Sequence, residues 1–219
     1  MLRAFQFALL ILGVLSQFGC STITVEVEST RRSDLVGISD VGTVYQLLPS
    51  QWVKTNYKYD KFASQVEYVL NGLGYVPVSE TGQDNPELLI ELSYGISDPI
   101  KIEFTYQLQD RGGGICKSCM QMVCYCGPMG ERMSYQWRFA RTGYRNEYRS
   151  ELKLTANYVG SNNPEPAWET SATSSGRSDD LNSLFPFLLV ASEAYIWTDA
   201  REKVEIRSND AKVQKLLDL

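Results

Sequence analysis

The chain contains no histidine. That absence removes the commonest general base near neutral pH, the usual partner of a serine or cysteine nucleophile, and the commonest metal ligand. Most hydrolase mechanisms are disfavoured by it. The 26 Asp and Glu residues are scattered, and no spacing sets two of them apart as an acid/base pair, so they read as solvated surface. A polybasic tract is missing too. The 21 Lys and Arg alternate with acids at a net charge of −5, which points away from nucleic acid and from an anionic membrane surface as partners. No long Pro/Gly/Ser linker divides the chain, so one domain is expected.

No apolar run reaches the roughly 20 residues that cross a bilayer as a helix. The longest one opens the chain. One charge at Arg3 precedes an apolar core running to Leu15, and Gly19-Cys20 follows where that core ends. This is the layout of a secretory signal peptide over residues 1–19 rather than of a membrane span. Leu15, Gly19 and Cys20, followed by Ser21 and Thr22, resemble a lipobox, with Gln17 and Phe18 standing where a lipobox usually has a leucine and a small residue. The resemblance implies cleavage before Cys20 and lipidation of its thiol. Ser21 resembles the residue that directs such proteins to the outer membrane, with the inner membrane as the alternative.

Cleavage leaves about 200 residues, enough for one sizeable core. Residues 20–34 read as a lipidated tether or an edge strand, because Ile23, Val25 and Val27 alternate with Thr24, Glu26 and Glu28. Gly42 to Pro49 reads as a short strand. From Lys58 to Leu73 the period changes: Phe62, Val66, Val69, Leu70 and Leu73 form the stripe of an amphipathic helix, with Gly72 and Gly74 as stops. Tyr75 to Val78 predicts a strand. Glu87 to Tyr94 has the apolar density of a strand buried on both faces. Ile100 to Gln109 alternates, with Ile102, Phe104, Tyr106 and Leu108 on one side.

Met133 to Ala140 and Tyr144 to Tyr158 predict two strands joined by a turn at Arg141-Thr-Gly143. Trp168 opens a strand within Ala167 to Ser174. Ser178 to Trp197 carries helical spacing, capped by Ser178 or Asp179 and interrupted by Pro186. Lys203 to Arg207 adds a strand, and Val213, Leu216 and Leu217 a frayed terminal helix. The thirteen tyrosines sit mostly in strand patterns, as half-buried sheet positions do. The expected fold is α+β: a mostly antiparallel sheet with two main helices packed on one face as a two-layer sandwich, spanning residues 35–219.

Four cysteines crowd into one short stretch. Cys116, Cys119, Cys124 and Cys126 are flanked by Gly112-Gly-Gly114 and Gly127-Pro128, which predicts a Cys-rich hairpin inserted at 111–130. Three readings stand. Export to an oxidising compartment favours two disulfides stapling a loop without a core of its own. Cys116 with Cys126 and Cys119 with Cys124 would close the hairpin, though three connectivities are open. Four thiolates could instead hold zinc, for which Cys-x-x-Cys is a familiar half-site and Cys-x-Cys a poorer one. A redox-active pair would need a lowered thiol pKa, and no thioredoxin-like context accompanies it.

Thr43-Val-Tyr-Gln-Leu-Leu-Pro49, the helix from Phe62 ending in Leu-Gly-Tyr75, the Glu87 to Tyr94 strand, and Ala167-Trp-Glu-Thr-Ser-Ala172 before Asp179-Asp-Leu181 together resemble an uncharacterised bacterial lipoprotein family, a domain of unknown function. The resemblance covers most of the mature chain and implies a location and a fold, with no catalytic residues to transfer. The cysteine insertion lies outside that pattern. The expected function is accordingly non-enzymatic. It requires no cofactor and no metal. The partners are the bilayer, through Cys20, and an envelope protein or glycan. A metal-binding or thiol-redox role through Cys116, Cys119, Cys124 and Cys126 is the alternative.

Overall fold

Alternating apolar residues set the first strand, β1 (Thr22–Arg31), in which Val25 and Val27 are buried while Glu26 and Glu28 face outward. A computed structural model describes residues 22–35, 42–51, 53, 58–81, 85–110, 137–161 and 165–219, giving the backbone alone for 107–110 and 137–140. Within it β1 is neither tether nor edge. It pairs with β7 (Trp168–Gly176) on one side and with β8 (Ala200–Arg207) on the other, antiparallel to both. The alternation predicted a strand, but only the partners decide whether a strand is an edge. The signal peptide, Cys20 and Ser21 lie outside the described residues.

The described chain divides into two units. The larger is formed by the segments before Ile100 and after Glu147, the smaller by Ile100–Glu147. In the larger unit the strand order is β3-β2-β4-β6-β7-β1-β8, with β2 spanning Val44–Pro49, β3 Val76–Pro77, β4 Leu88–Ile96 and β6 Trp137–Tyr158. The pairs β2–β3 and β2–β4 are parallel; the others in this order are antiparallel. The fold is α+β with a large, mostly antiparallel sheet. The parallel β2–β3 pair requires a crossover, which α1 (Tyr59–Gly72) supplies.

That helix ends as its glycine predicts. Gly74 takes φ +94°, its amide donates to the Asn71 carbonyl, and the Tyr75 amide donates to the Leu70 carbonyl. This closes a Schellman turn. After Val76–Pro77 the chain forms the one-turn helix α2 (Val78–Thr81) instead of extending the strand to Val78. In β4, Leu88, Ile90, Leu92 and Tyr94 are buried but Glu91 is exposed, so this strand buries one face rather than two. Its apolar density misled because Leu89 is only half-covered.

Arg141-Thr-Gly143 is not a turn: β6 runs straight through it for 22 residues, and its first half pairs with β5 (Ile100–Asp110). The hairpin therefore joins β5 to β6 across 111–136, which lie outside the described residues and include the predicted Cys-rich insertion. The glycine has a packing reason to sit within a strand. Gly143 faces Phe104, whose ring covers it so closely that a Cβ there would lie 2.8 Å from the ring edge.

The later helix, α3 (Leu181–Glu193), is shorter than its apolar pattern and is capped by Asp180, whose carboxylate accepts from the Asn182 amide. Pro186 lies inside it. The turn into β8 places Trp197 at φ +70°, a conformation that costs a bulky residue on the order of 1 kcal/mol or more. The Arg31 guanidinium stands 5.6 Å from its ring centre. The terminal helix α4 (Ala211–Leu217) is capped by Asp210 and tied to α1, since Gln65 Nε2 donates to the Leu216 carbonyl at 2.6 Å.

Buried side chains from these elements form one cluster in the larger unit. Phe62 stacks on Phe185 at 4.2 Å and meets Tyr94 edge-on at 4.7 Å, while Trp168, Leu154 and Leu188 are fully covered. Each fully buried Leu or Phe contributes about 1.5–3 kcal/mol. Within β1 and β7 a buried hydroxyl pair, Ser29 with Thr170 at 2.7 Å, satisfies two polar groups that would otherwise cost stability.

Candidate functional site

The smaller unit presents an unusual surface. Ile100, Ile102, Phe104 and Tyr106 recur at period two along β5 and share one face with their register partners Glu147, Arg145, Gly143 and Arg141. In a core strand such a stripe would be buried. Here Ile100 is 58% exposed, Phe104 38% and Tyr106 39%. The rings of Phe104 and Tyr106 lie 5.8 Å apart, and the Arg145 guanidinium stands 5.9 Å from the Phe104 ring centre while pairing with Glu147. On the opposite face Tyr144 is 58% exposed, with Lys101 Nζ 4.7 Å from its ring centre.

Arg145–Glu147 is half-exposed and contributes little to stability. The physical significance lies in the aromatic rings. A two-stranded hairpin is marginally stable by itself, and these aromatic side chains are left partly in water.

Edge strands are the other candidates for contact. Among the described residues β8 pairs only with β1, and β5 only with β6. Along β8 the side chains of Arg201, Glu202, Lys203, Glu205 and Arg207 fringe the edge with charge, which discourages a further strand. The β5 edge lacks that density of charge, so it is the less protected of the two edges.

The larger unit carries a polar groove of about 260 Å³ on the outward face of its sheet, lined by Thr24, Glu26, Arg149, Thr173, Ser175 and Lys203. Strand register assembles it: Glu26 lies beside both Lys203 and Thr173, and Arg149 beside Ser175. No sequence spacing links these residues, because they come from four strands.

Tyr45, Tyr59 and Tyr94 are the perturbed titratable groups of the interior. Burial, then the charges of Glu67 and Glu80, push the Tyr45 phenol up. Burial, then Glu67, Tyr94 and Asp60, raise Tyr59 to about 12, and burial with Asp60 raises Tyr94 to about 12. Partial desolvation and Glu80 hold the Glu67 carboxyl above its ordinary range. Phenols shifted this way stay neutral at physiological pH, so they supply packing and no base. Among the described residues no group of three or more Cys, Asp or Glu is placed to hold a metal, and no helix is long and apolar enough to cross a membrane.

Cys20, Cys116, Cys119, Cys124 and Cys126 all lie outside the described residues. The aromatic stripe was legible in the sequence as an alternation; its exposure was not.

No protein-family model matches the chain, and no curated protein matches it. Among solved structures, a PDZ domain protein from Parabacteroides distasonis is similar over 88% of this chain at 12% identity, with a TM-score of 0.45. The match covers 40% of that protein's chain.

Proposed function

We propose that this chain is a lipoprotein of the bacterial envelope, acylated at Cys20 and facing the periplasm from the outer membrane, that binds another envelope component, a protein or a glycan, without catalysing a reaction. The observation that carries the binding role is the exposed aromatic face of the β5–β6 hairpin. The signal-peptide layout before Cys20 and the resemblance to a lipoprotein family support the location. The lack of histidine and the neutral, core-packed phenols support a non-enzymatic role. In the same reading α1 and α3 pack on one face of the sheet as two layers, which their shared core supports, and the four clustered cysteines form disulfides.

Two measurements test it. Cys20→Ser should abolish metabolic palmitate labelling and move the chain from the membrane fraction to the soluble periplasm; a variant that stays membrane-bound sinks the anchor. A photo-crosslinking residue replacing Tyr106 or Ile100 should trap a partner in intact cells where the same residue at Glu205 does not. Equal trapping at Glu205, or none at the hairpin positions, sinks the hairpin as the contact.

A further inference from the structure

We infer that the groove on the outward face of the larger unit binds the phosphate of an anionic phospholipid headgroup in the leaflet that holds the chain. This rests on lipidation of Cys20. The groove's lining includes two cations and three hydroxyls, the donors that a phosphate's oxygens need. Among the described residues the Arg149 guanidinium has no ion pair, and Lys203 has only Glu26, at 3.4 Å with both side chains about two-thirds exposed. Such a pair is weak and exchangeable, so Lys203 is available to a ligand.

Position supplies the second argument. Because β1 begins at Thr22 and is built into the sheet, Thr24 sits four residues from Cys20. Covalent geometry then limits it to roughly 14 Å from the acylated residue. A headgroup layer is about 5–7 Å thick on each side of the hydrocarbon, and the surface potential reaches about 8–10 Å beyond it. The β1 side of the groove thus lies within reach of the headgroups of its own leaflet, with Lys203 on the neighbouring strand β8 and Arg149 two strands away on β6. The mixed charges along the chain argued against an anionic membrane partner. The cations here are distant in sequence, and only the pairing of β6, β7, β1 and β8 brings them together.

The test uses the whole mature Cys20→Ser chain, unlipidated, in co-sedimentation at low ionic strength. Vesicles of phosphatidylglycerol mixed with phosphatidylcholine are compared with phosphatidylcholine alone. The chain should prefer the anionic vesicles, lose that preference as salt rises, and bind on the order of thirtyfold more weakly as Arg149→Gln/Lys203→Gln, the loss of two cationic contacts. Glu26→Gln, which removes the competing carboxylate, should tighten binding. All three positions line an open surface, and an unchanged thermal midpoint confirms folding. Equal binding to neutral vesicles, or anionic binding that the double variant leaves intact, overturns the inference. So does displacement of Arg149 signals by inorganic phosphate without vesicle binding, which would assign the groove to a free anion. Palmitate labelling of the wild-type chain is read separately, so failure of the anchor and failure of the groove give different results.

Discussion

Phe104 and Tyr106 carry most of the functional reading, and their exposure separates function from stability. A buried aromatic truncated to a small residue costs about 3–5 kcal/mol through lost transfer energy and the cavity left behind. Phe104 and Tyr106 are more than a third exposed, so the double variant Phe104→Ser/Tyr106→Ser should change unfolding free energy by no more than about 1 kcal/mol. It should also remove the crosslinked partner trapped from Ile100, which lies on the same face. Urea denaturation and crosslinking on the same preparation check both halves. A variant that unfolds would show that the stripe is core, and one that keeps the partner would show that the stripe is bystander. The alternation of Ile102, Phe104 and Tyr106 was readable beforehand, since period two needs no tertiary information. Whether water or another surface meets that face was not, because alternation names a face without naming what covers it.

At the level of elements, local chemistry determined ends better than it determined partners. Gly74 stops α1 because the left-handed backbone there excludes a Cβ, and the two amides it positions satisfy carbonyls of the last turn. Gly74→Ala should therefore cost about 1–2 kcal/mol, read as a lowered urea midpoint with an unchanged slope. An unchanged midpoint would mean that the turn relaxes without penalty. Gly143 shows the opposite case. Beside Arg141 and Thr142 it carries a turn signal, but the ring of Phe104 rests on it and the strand continues. A cross-strand neighbour outweighed a local preference, and that neighbour is almost forty positions away. α3 ends at Glu193 rather than at Trp197: the apolar spacing persists, while the backbone bends through Trp197 toward β8.

For the whole molecule, the buried phenols tie stability to pH. Tyr59 and Tyr94 are raised to about 12 and Tyr45 is raised as well, from an ordinary value of 10. Groups whose pKa is higher in the folded state contribute stability that is complete below pH 10 and is lost as pH rises from 10 through about 12. Denaturation midpoints should hold up to pH 10 and then fall. Phenolate absorbance should show a fraction of the thirteen tyrosines titrating late and cooperatively with unfolding. Titration of all thirteen near 10 with the fold intact would contradict the burial of these three. Composition and periodicity by themselves determined that the fold is α+β, that α1 has an apolar stripe and that histidine chemistry is excluded, because each follows from composition or from residues close together in the chain. Tertiary structure alone decided that β1 is an interior strand, that β6 passes through Gly143, and that Arg149 and Lys203 share a groove. Those depend on which strands pair and in what register, and pairing energy comes from residues that sequence order keeps apart.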